Sequence, residues 1–438
     1  MKEKKWQTKW PERISYGMSD AADNLIFQVM TTYLLYFYTD VYGLSAGNVA
    51  ILFVVARVAD VLESILIGFM IDHTHSRFGK SRPFFLWYAL PYVAFAILTF
   101  VTPDFSAQGK LVWAYFTYLG LGFFYTAVNS PITSVLPTMT QNERELTLLG
   151  VIRQFCGSSV QIIVGVFTLP LVAFFGQGDR RQGFLLTIVL FGIISLVLIL
   201  NTFFHIRERF TRKEISHQPL RKVLQMLRKN RPWITISIVI FLFWLVTAVK
   251  NQTMIYYFKY TLHAKDLVPL ANGFMFSSLI GVLLIMYLTN TLKKKQTMFT
   301  GMLIAFGGQV IIAFGVYSDA LWLLLAGILI NSLGHGIIVG LVSIMIADTI
   351  RYGMSLGIQA EGLLAATDDF GVNLGLGIGG LITGGLFHLS GYVPNGVQNA
   401  QTLHIINLNY VWIPLLIYGL MMLALSFYNE ETMQETAS

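Results

Sequence analysis

The sequence predicts an all-α membrane protein of twelve transmembrane helices in two six-helix halves, and three observations predict it. Of 438 residues, 55% are hydrophobic and only 12% charged, whereas a soluble domain carries about 25% charged residues. Apolar segments of membrane-spanning length, roughly 20 residues each, recur twelve times along the chain. A long polar interruption at 206–232 divides them six and six. The implied organisation is an N-terminal six-helix half over 1–205, a cytoplasmic basic linker over 206–232 and a C-terminal six-helix half over 233–438.

The spans of the first half fall at about 15–40, 46–72, 83–103, 110–136, 148–176 and 183–205. Those of the second fall at about 233–259, 267–290, 296–318, 320–348, 360–388 and 405–428. The opening MKEKKWQTKWPER is basic but leads into no short apolar core with a small-residue cleavage site, so no signal peptide is expected. Within the linker, 220–227 reads as a short amphipathic helix lying on the membrane surface. Lys and Arg are divided 22 to five between the loops of the two sides, with three more inside spans. That bias places both termini in the cytoplasm, in a multi-pass protein of the cell (inner or plasma) membrane. The net charge of +7 therefore reports topology rather than a nucleic-acid partner, and lipid is the surrounding medium. The one cysteine, Cys156, lies in an apolar segment and excludes a disulfide framework or a cysteine metal site within the chain. A His-Glu-x-x-His metal motif is also lacking, so neither an enzyme nor a metal centre is expected.

Ionised side chains at bilayer depth are costly and mark functional sites by default. The stretch 54–83 concentrates them: Arg57, Asp60 and Glu63 within the second span, then Asp72, Arg77, Lys80 and Arg82 in the loop beyond it. Arg57 to Asp60, and Asp60 to Glu63 or Ser64, are one turn apart and share a face. A structural ion pair is the other reading of these residues. The first span carries Asp20, Asp23 and Asn24; the fourth Tyr125, Thr126 and Asn129 before Pro131; the fifth Arg153 and Gln154. The seventh brings Lys250, Asn251 and Gln252, the tenth His335 between two glycines, and the eleventh Glu361, Asp368, Asp369 and Asn373. Singly, each could be a helix–helix hydrogen bond, worth about 0.6 kcal/mol in a membrane; together they suggest a central hydrated cavity. Gly79-Lys80-Ser81 imitates a phosphate loop, but Thr74 stands where that pattern needs its first glycine. Gly371, Gly375 and Gly379 have the spacing of close helix packing.

Six plus six spans with a cytoplasmic linker is the layout of major facilitator carriers, whose halves are repeats. The internal repeat is weak here: the basic loop after span two has a counterpart in 290–295, without the Asp. The chain resembles the glycoside-pentoside-hexuronide:cation symporters, the melibiose permease family of that superfamily, over almost its whole length. The likeness is carried by Ser15-Tyr16-Gly17 with Asp20 and Asn24, Tyr38-Thr39-Asp40-Val41, and Val55-Ala56-Arg57 with Asp60, Gly68 and Asp72. It continues through Ser76-Arg77, Gly79-Lys80, Arg82-Pro83, Tyr125-Thr126, Asn129, Pro131, Ala347-Asp348-Thr349, Tyr352-Gly353, Glu361-Gly362, Gly391-Tyr392 and Gln398. Ala114-Tyr115 to Asn129 and Lys229-Asn230-Arg231-Pro232 look most like glucuronide permeases.

The resemblance implies sugar binding between two halves and cation binding beside spans two and four. Asp60 and Thr126 would serve the cation, Arg57 would pair with acidic neighbours, and Asn24, Asn129 and Arg153 would face the sugar, with Asp20, Asp23, Lys250 and Asn373 as further substrate candidates. Asp72, Arg77, Lys80, Arg82 and Glu361 would belong to the cytoplasmic gating loops. This chain departs from the pattern at Ser64, where sodium-coupled relatives have a second aspartate, with Glu63 offset by about 100° around the helix. The family's span-eleven lysine falls at Asn373, the two sugar-binding aspartates of melibiose carriers fall at Asn24 and Asn129, and the loop after span ten reads Arg351-Tyr352-Gly353 in place of Asp-Tyr-Gly. Fewer hard oxygen ligands favour a proton over sodium, coupled through Asp60 with Glu63 in reserve. Loss of two aspartates, with Lys250 and Arg153 present, makes an acidic glycoside plausible; Asp20 and Asp23 argue the other way. The expectation is a secondary transporter importing a glycoside, such as a hexuronide, by alternating access. It would need no cofactor beyond a co-transported H⁺ or Na⁺. The alternatives are an uncoupled facilitator, a non-transporting sugar sensor or a lipid carrier on the same fold.

Overall fold

The structure, a computed structural model, describes residues 6–210, 230–355 and 361–429. The proposed surface helix at 220–227 lies outside them. The chain divides into two compact units, Met1–Glu214 and Ile215–Ser438, with the break inside the 206–232 segment.

In the first unit α1 (Trp10–Tyr36) continues through a wider π-helical turn, Phe37–Tyr42, and stops where Gly43 takes a left-handed φ of 83°. Next come α2 (Ala46–His73), α3 (Arg82–Trp87) with α4 (Ala89–Phe100), α5 (Ala107–Met139), α6 (Glu143–Gly176) and α7 (Arg180–His205). Ser45, Ser106, Asn142 and Asp179 each cap a helix by accepting a backbone N–H two or three residues on, which satisfies donors that a helix start leaves unpaired.

The second unit has α8 (Arg231–Tyr256) with a π-helical extension Tyr257–Thr261, α9 (Val268–Phe274) with α10 (Ser277–Thr291), α11 (Lys294–Tyr317), α12 (Leu321–Ser355) and α13 (Glu361–Leu389). It closes with α14 (Ala400–Asn407), a π-helical turn Leu408–Trp412, and α15 (Ile413–Ser426). Joined this way the helices make twelve passes. Nine described helices are long and apolar enough to cross a membrane by length and composition. The other three fall short: the first because Asp20, Asp23, Asn24 and Gln28 lie within it, the second because Arg57, Asp60 and Glu63 do, and the third because it breaks at Tyr88.

Glycine decides one contact in each unit that positions the candidate sites. On α13 a Cβ at Gly375 would lie 2.8 Å from the backbone of α8 at Leu245 and Phe241, and one at Gly379 would lie 2.5 Å from Ala248 Cβ. The stripe therefore serves backbone approach between α8 and α13. On α6 a Cβ at Gly157 would fall 2.0 Å from Asp20 Oδ2, so α1 and α6 meet at a polar contact. Apolar side chains turn outward: Val58, Leu62, Ile65 and Phe69 are exposed on the face of α2 opposite Asp60, as a lipid-facing surface requires.

The repeat shows more clearly in three dimensions than in sequence. The first helix of each unit ends in a π-helical turn within an aromatic run, Tyr36-Phe37-Tyr38 in one and Tyr256-Tyr257-Phe258 in the other.

Candidate functional site

Three polar clusters stand inside the helical units. The first joins α2 to α5. Arg57 Nη1 meets Asp60 Oδ2 at 2.8 Å and Arg57 Nη2 donates to Tyr118 Oη at 3.0 Å. Gly122, one turn beyond Tyr118, leaves room for both acids: its hypothetical Cβ would sit 3.2 Å from Asp60 Oδ1 and 3.3 Å from Glu63 Oε2. The two carboxyl groups thus converge on one spot of α5, and Glu63 Oε2 is buried without a hydrogen-bond partner. Thr126, a further turn along that face, is buried. Ser64 is exposed and stands outside the cluster. Of the two side chains one turn past Asp60, the packing of α2 on α5 turns Glu63 inward and Ser64 outward.

The second cluster joins α1, α5 and α6. Arg153 Nε donates to Asp20 Oδ1 at 2.8 Å, and Arg153 Nη1 donates to Thr133 Oγ1 at 3.2 Å. Asn24 donates to Asp20 Oδ2 at 3.2 Å and accepts from Gln161 Nε2 at 2.7 Å. Asn129 Nδ2 donates to Asp23 Oδ2 at 2.9 Å. Five expected substrate residues, Asp20, Asp23, Asn24, Asn129 and Arg153, therefore stand together, with Gln161 and Gly157 as members the sequence reading missed. Gln161 carries a legible signal, an amide two turns after Arg153 on one face of α6.

The third lies in the second unit. Lys250 donates to Asn331 Oδ1, whose own amide donates to Ala305 O at 2.6 Å and Tyr418 Oη at 3.3 Å. One turn on, His335 Nε2 meets Thr247 Oγ1 at 3.2 Å and the ring packs 4.4 Å from Phe243. Among the described residues Lys250 has no carboxylate partner. Asn373 is half-buried on α13. The side chains of Asp72, Glu361, Asp368 and Asp369 lie outside the described residues.

The loop after α2 is closed by a residue the sequence reading passed over. Glu208 accepts the backbone N–H groups of Lys80, Ser81 and Arg82 at 3.0, 2.8 and 2.8 Å. Those are the donors a phosphate would need at Gly79-Lys80-Ser81, and a carboxylate of the same unit takes them. Arg82 also donates to Phe203 O at 2.8 Å, while Arg77 lies over the Phe78 ring. At the same end Arg209 makes a two-pronged pair with Glu12 at 2.7 and 2.8 Å; hydrogen bonding to Glu12 raises the Arg209 pKa above its ordinary value. Glu145, fully buried, accepts from Gln7, Thr8, Arg13 and Thr140.

Comparison with known proteins agrees with this architecture. The family described as MFS/sugar transport protein matches residues 15–431. A relative from Lactiplantibacillus pentosus named as an isoprimeverose transporter is 39% identical over 429 residues, covering 97% of this chain and 90% of its own length. A putative glycoside/cation symporter, YagG, of Escherichia coli K12 is 30% identical over 427 residues, 96% of this chain and 92% of its own. The crystal structure of a D-xylose-proton symporter superposes with a TM-score of 0.73 at 15% identity, covering 97% of this chain and 98% of that one, and shows the shared fold. The fold is that of the major facilitator superfamily.

Proposed function

Because this chain belongs to the MFS/sugar transport family, whose members are membrane carriers and not enzymes, we propose that it imports a glycoside together with a proton. The Arg57, Asp60 and Glu63 cluster couples the cation, and the Asp20, Asp23, Asn24, Asn129, Arg153 and Gln161 cluster receives the sugar. The names of the relatives support a glycoside as cargo and a cation as its companion. No resident cofactor takes part, both termini lie in the cytoplasm of the cell membrane, and the two halves serve by alternating access. Arg77, Lys80 and Arg82 belong to a cytoplasmic loop that Glu208 keeps in shape.

The observation that carries the coupling is the convergence of two carboxyl groups over Gly122, one paired with Arg57 and the other bare on Oε2. Sodium wants several hard oxygen ligands; an acid already neutralised by a guanidinium beside an acid with few neutral oxygens suits a proton better. The test is uptake of labelled glycoside into proteoliposomes under imposed proton or sodium gradients. Accumulation driven by protons, abolished in Asp60→Asn while exchange down a sugar gradient survives, is the expected result. Accumulation driven by sodium alone, or an unaffected variant, refutes the assignment.

A second reading concerns the cargo. Among the described residues Lys250 meets a neutral amide and no carboxylate, which favours a glycoside bearing an acid group, such as a hexuronide. Competition between methyl glucuronide and methyl glucoside for uptake decides it: preference for the neutral sugar removes this reading and leaves the symporter standing.

A further inference from the structure

Asp20 and Asp23 stand one turn apart on α1, and their neighbours treat them differently. Asp20 has both oxygens engaged and its charge answered: Oδ1 by Arg153 at 2.8 Å, Oδ2 by Asn24 at 3.2 Å. Asp23 is 1% exposed. Its Oδ2 accepts from the neutral amide of Asn129, and its Oδ1 is buried with no partner. Among the described residues no Lys, Arg or His comes within 4.0 Å of it.

The one cation near it among the described residues, Arg153, is already paired with Asp20. Tyr16 and Asp20 lie on α1 itself. From α4, Tyr92 directs its hydroxyl to the backbone carbonyl of Asp23, at 3.3 Å, and not to the carboxyl. From α5 come Asn129 and Tyr125, whose ring stacks on Phe27 at 5.3 Å. From α6 comes Arg153, held by Asp20 and Thr133. From α7 comes Asn201, a neutral side chain bonded to Ser15. An enclosed carboxylate with one neutral donor and no cation in direct contact is costly, and a protonated carboxyl fills the same space without that cost.

We propose that Asp23 is a second proton-exchanging residue, separate from the α2 cluster, whose protonation is linked to sugar binding at the neighbouring Asp20, Asn24 and Arg153. This rests on the reading of the α1, α5 and α6 cluster as the sugar site. The step is acid–base alone: the carboxyl O–H bond forms or breaks, the proton passes to or from water, and no electron is transferred. The protonated acid carries its proton on Oδ1 while Oδ2 accepts from Asn129. Asparagine at this position copies that pattern, donating from its amide and accepting on its oxygen.

The experiment is calorimetric titration of the purified full chain with isoprimeverose as the probe, from about pH 6 to about pH 9, in two buffers of different ionisation heat. Wild-type affinity is expected to fall by about tenfold per pH unit once the acid ionises, and the apparent heat is expected to depend on the buffer. In an Asp60→Asn background, which removes the pH dependence of the α2 cluster, Asp23→Asn is expected to flatten the remaining pH profile and Asp23→Ala to bind weakly throughout. Heats independent of buffer in the wild type, or the Asp60→Asn pH profile retained when Asp23→Asn is added, would overturn the proposal. Infrared difference spectra on pH change without sugar supply a readout independent of cargo. A carboxylic-acid band is expected that Asp23→Asn removes and Asp60→Asn keeps, and a spectrum lacking it overturns the assignment. Failure of isoprimeverose and methyl glucuronide alike to bind, with that band present, refutes the sugar site instead.

Discussion

Gly157→Ala offers a sharp test of the α1–α6 contact, because one methyl group is aimed at one ion pair. The new Cβ would lie 2.0 Å from Asp20 Oδ2 and 3.0 Å from Asn24 Nδ2, whereas ordinary contact begins at 3.4 Å. The Asp20 carboxylate must therefore shift by about 1.4 Å, the difference between those two distances, which strains its 2.8 Å bond from Arg153. Breaking a fully buried pair costs about 3–5 kcal/mol. With side chains 27% and 14% exposed, a discounted cost of about 1–3 kcal/mol is expected, or a loss of roughly tenfold to a hundredfold in sugar affinity. Gly150 is a matched control on the same helix, since nothing lies within 4 Å of its Cβ position. Binding of a glycoside that the wild-type protein takes up, to purified Gly157→Ala and Gly150→Ala proteins, with thermal unfolding of each, separates a lost site from a lost fold. If the two variants bind alike, Asp20 and Arg153 do not shape the site and the reasoning is refuted.

Glu63→Gln is expected to abolish proton-driven accumulation, while Ser64→Ala leaves it within about twofold in the same vesicle assay; the reverse order would mean that α2 presents its other edge to α5. Gly375→Ala places its Cβ 2.8 Å from α8 backbone and should lower the unfolding temperature by the equivalent of about 1–3 kcal/mol, whereas Gly385→Ala, with open space at its Cβ, should not; equal melting of the two rules out the close approach. Glu208→Ala releases three backbone donors and should destabilise the loop by about 1–3 kcal/mol, read as faster trypsin cleavage at Arg77 and Lys80. Unchanged cleavage at Arg77 and Lys80 would mean that the loop holds itself.

Segment-level features of this chain were legible before any coordinates. Stretches of about 20 apolar residues dictate helices because no other backbone satisfies its own polar groups in lipid. Asp20, Asp23, Asn24, Arg57, Asp60, Glu63, Asn129 and Arg153 of the two clusters in the first unit stood out because charges and amides are conspicuous in such a composition. Helical spacing also placed Arg57 with Asp60 and Asp20 with Asn24, since neighbours one turn apart belong to a single helix.

Partners from distant parts of the chain were decided only by packing. Periodicity says which residues share a face, but not which neighbour that face meets. Glu63 and Ser64 were equal candidates beside Asp60 until α5, with a glycine at 122, received the first and left the second exposed. Glu208 read as one more charge in a basic linker until it closed on a loop 126 to 128 residues earlier in the chain. Asp20 and Asp23 looked alike in sequence; α6 brought a guanidinium to the first, and α5 brought only an amide to the second. Composition and spacing act within a helix, whereas countercharge and enclosure are properties of the space between helices. The twelve-pass frame was therefore written in the sequence, and the chemical character of each acid was assigned by the tertiary structure.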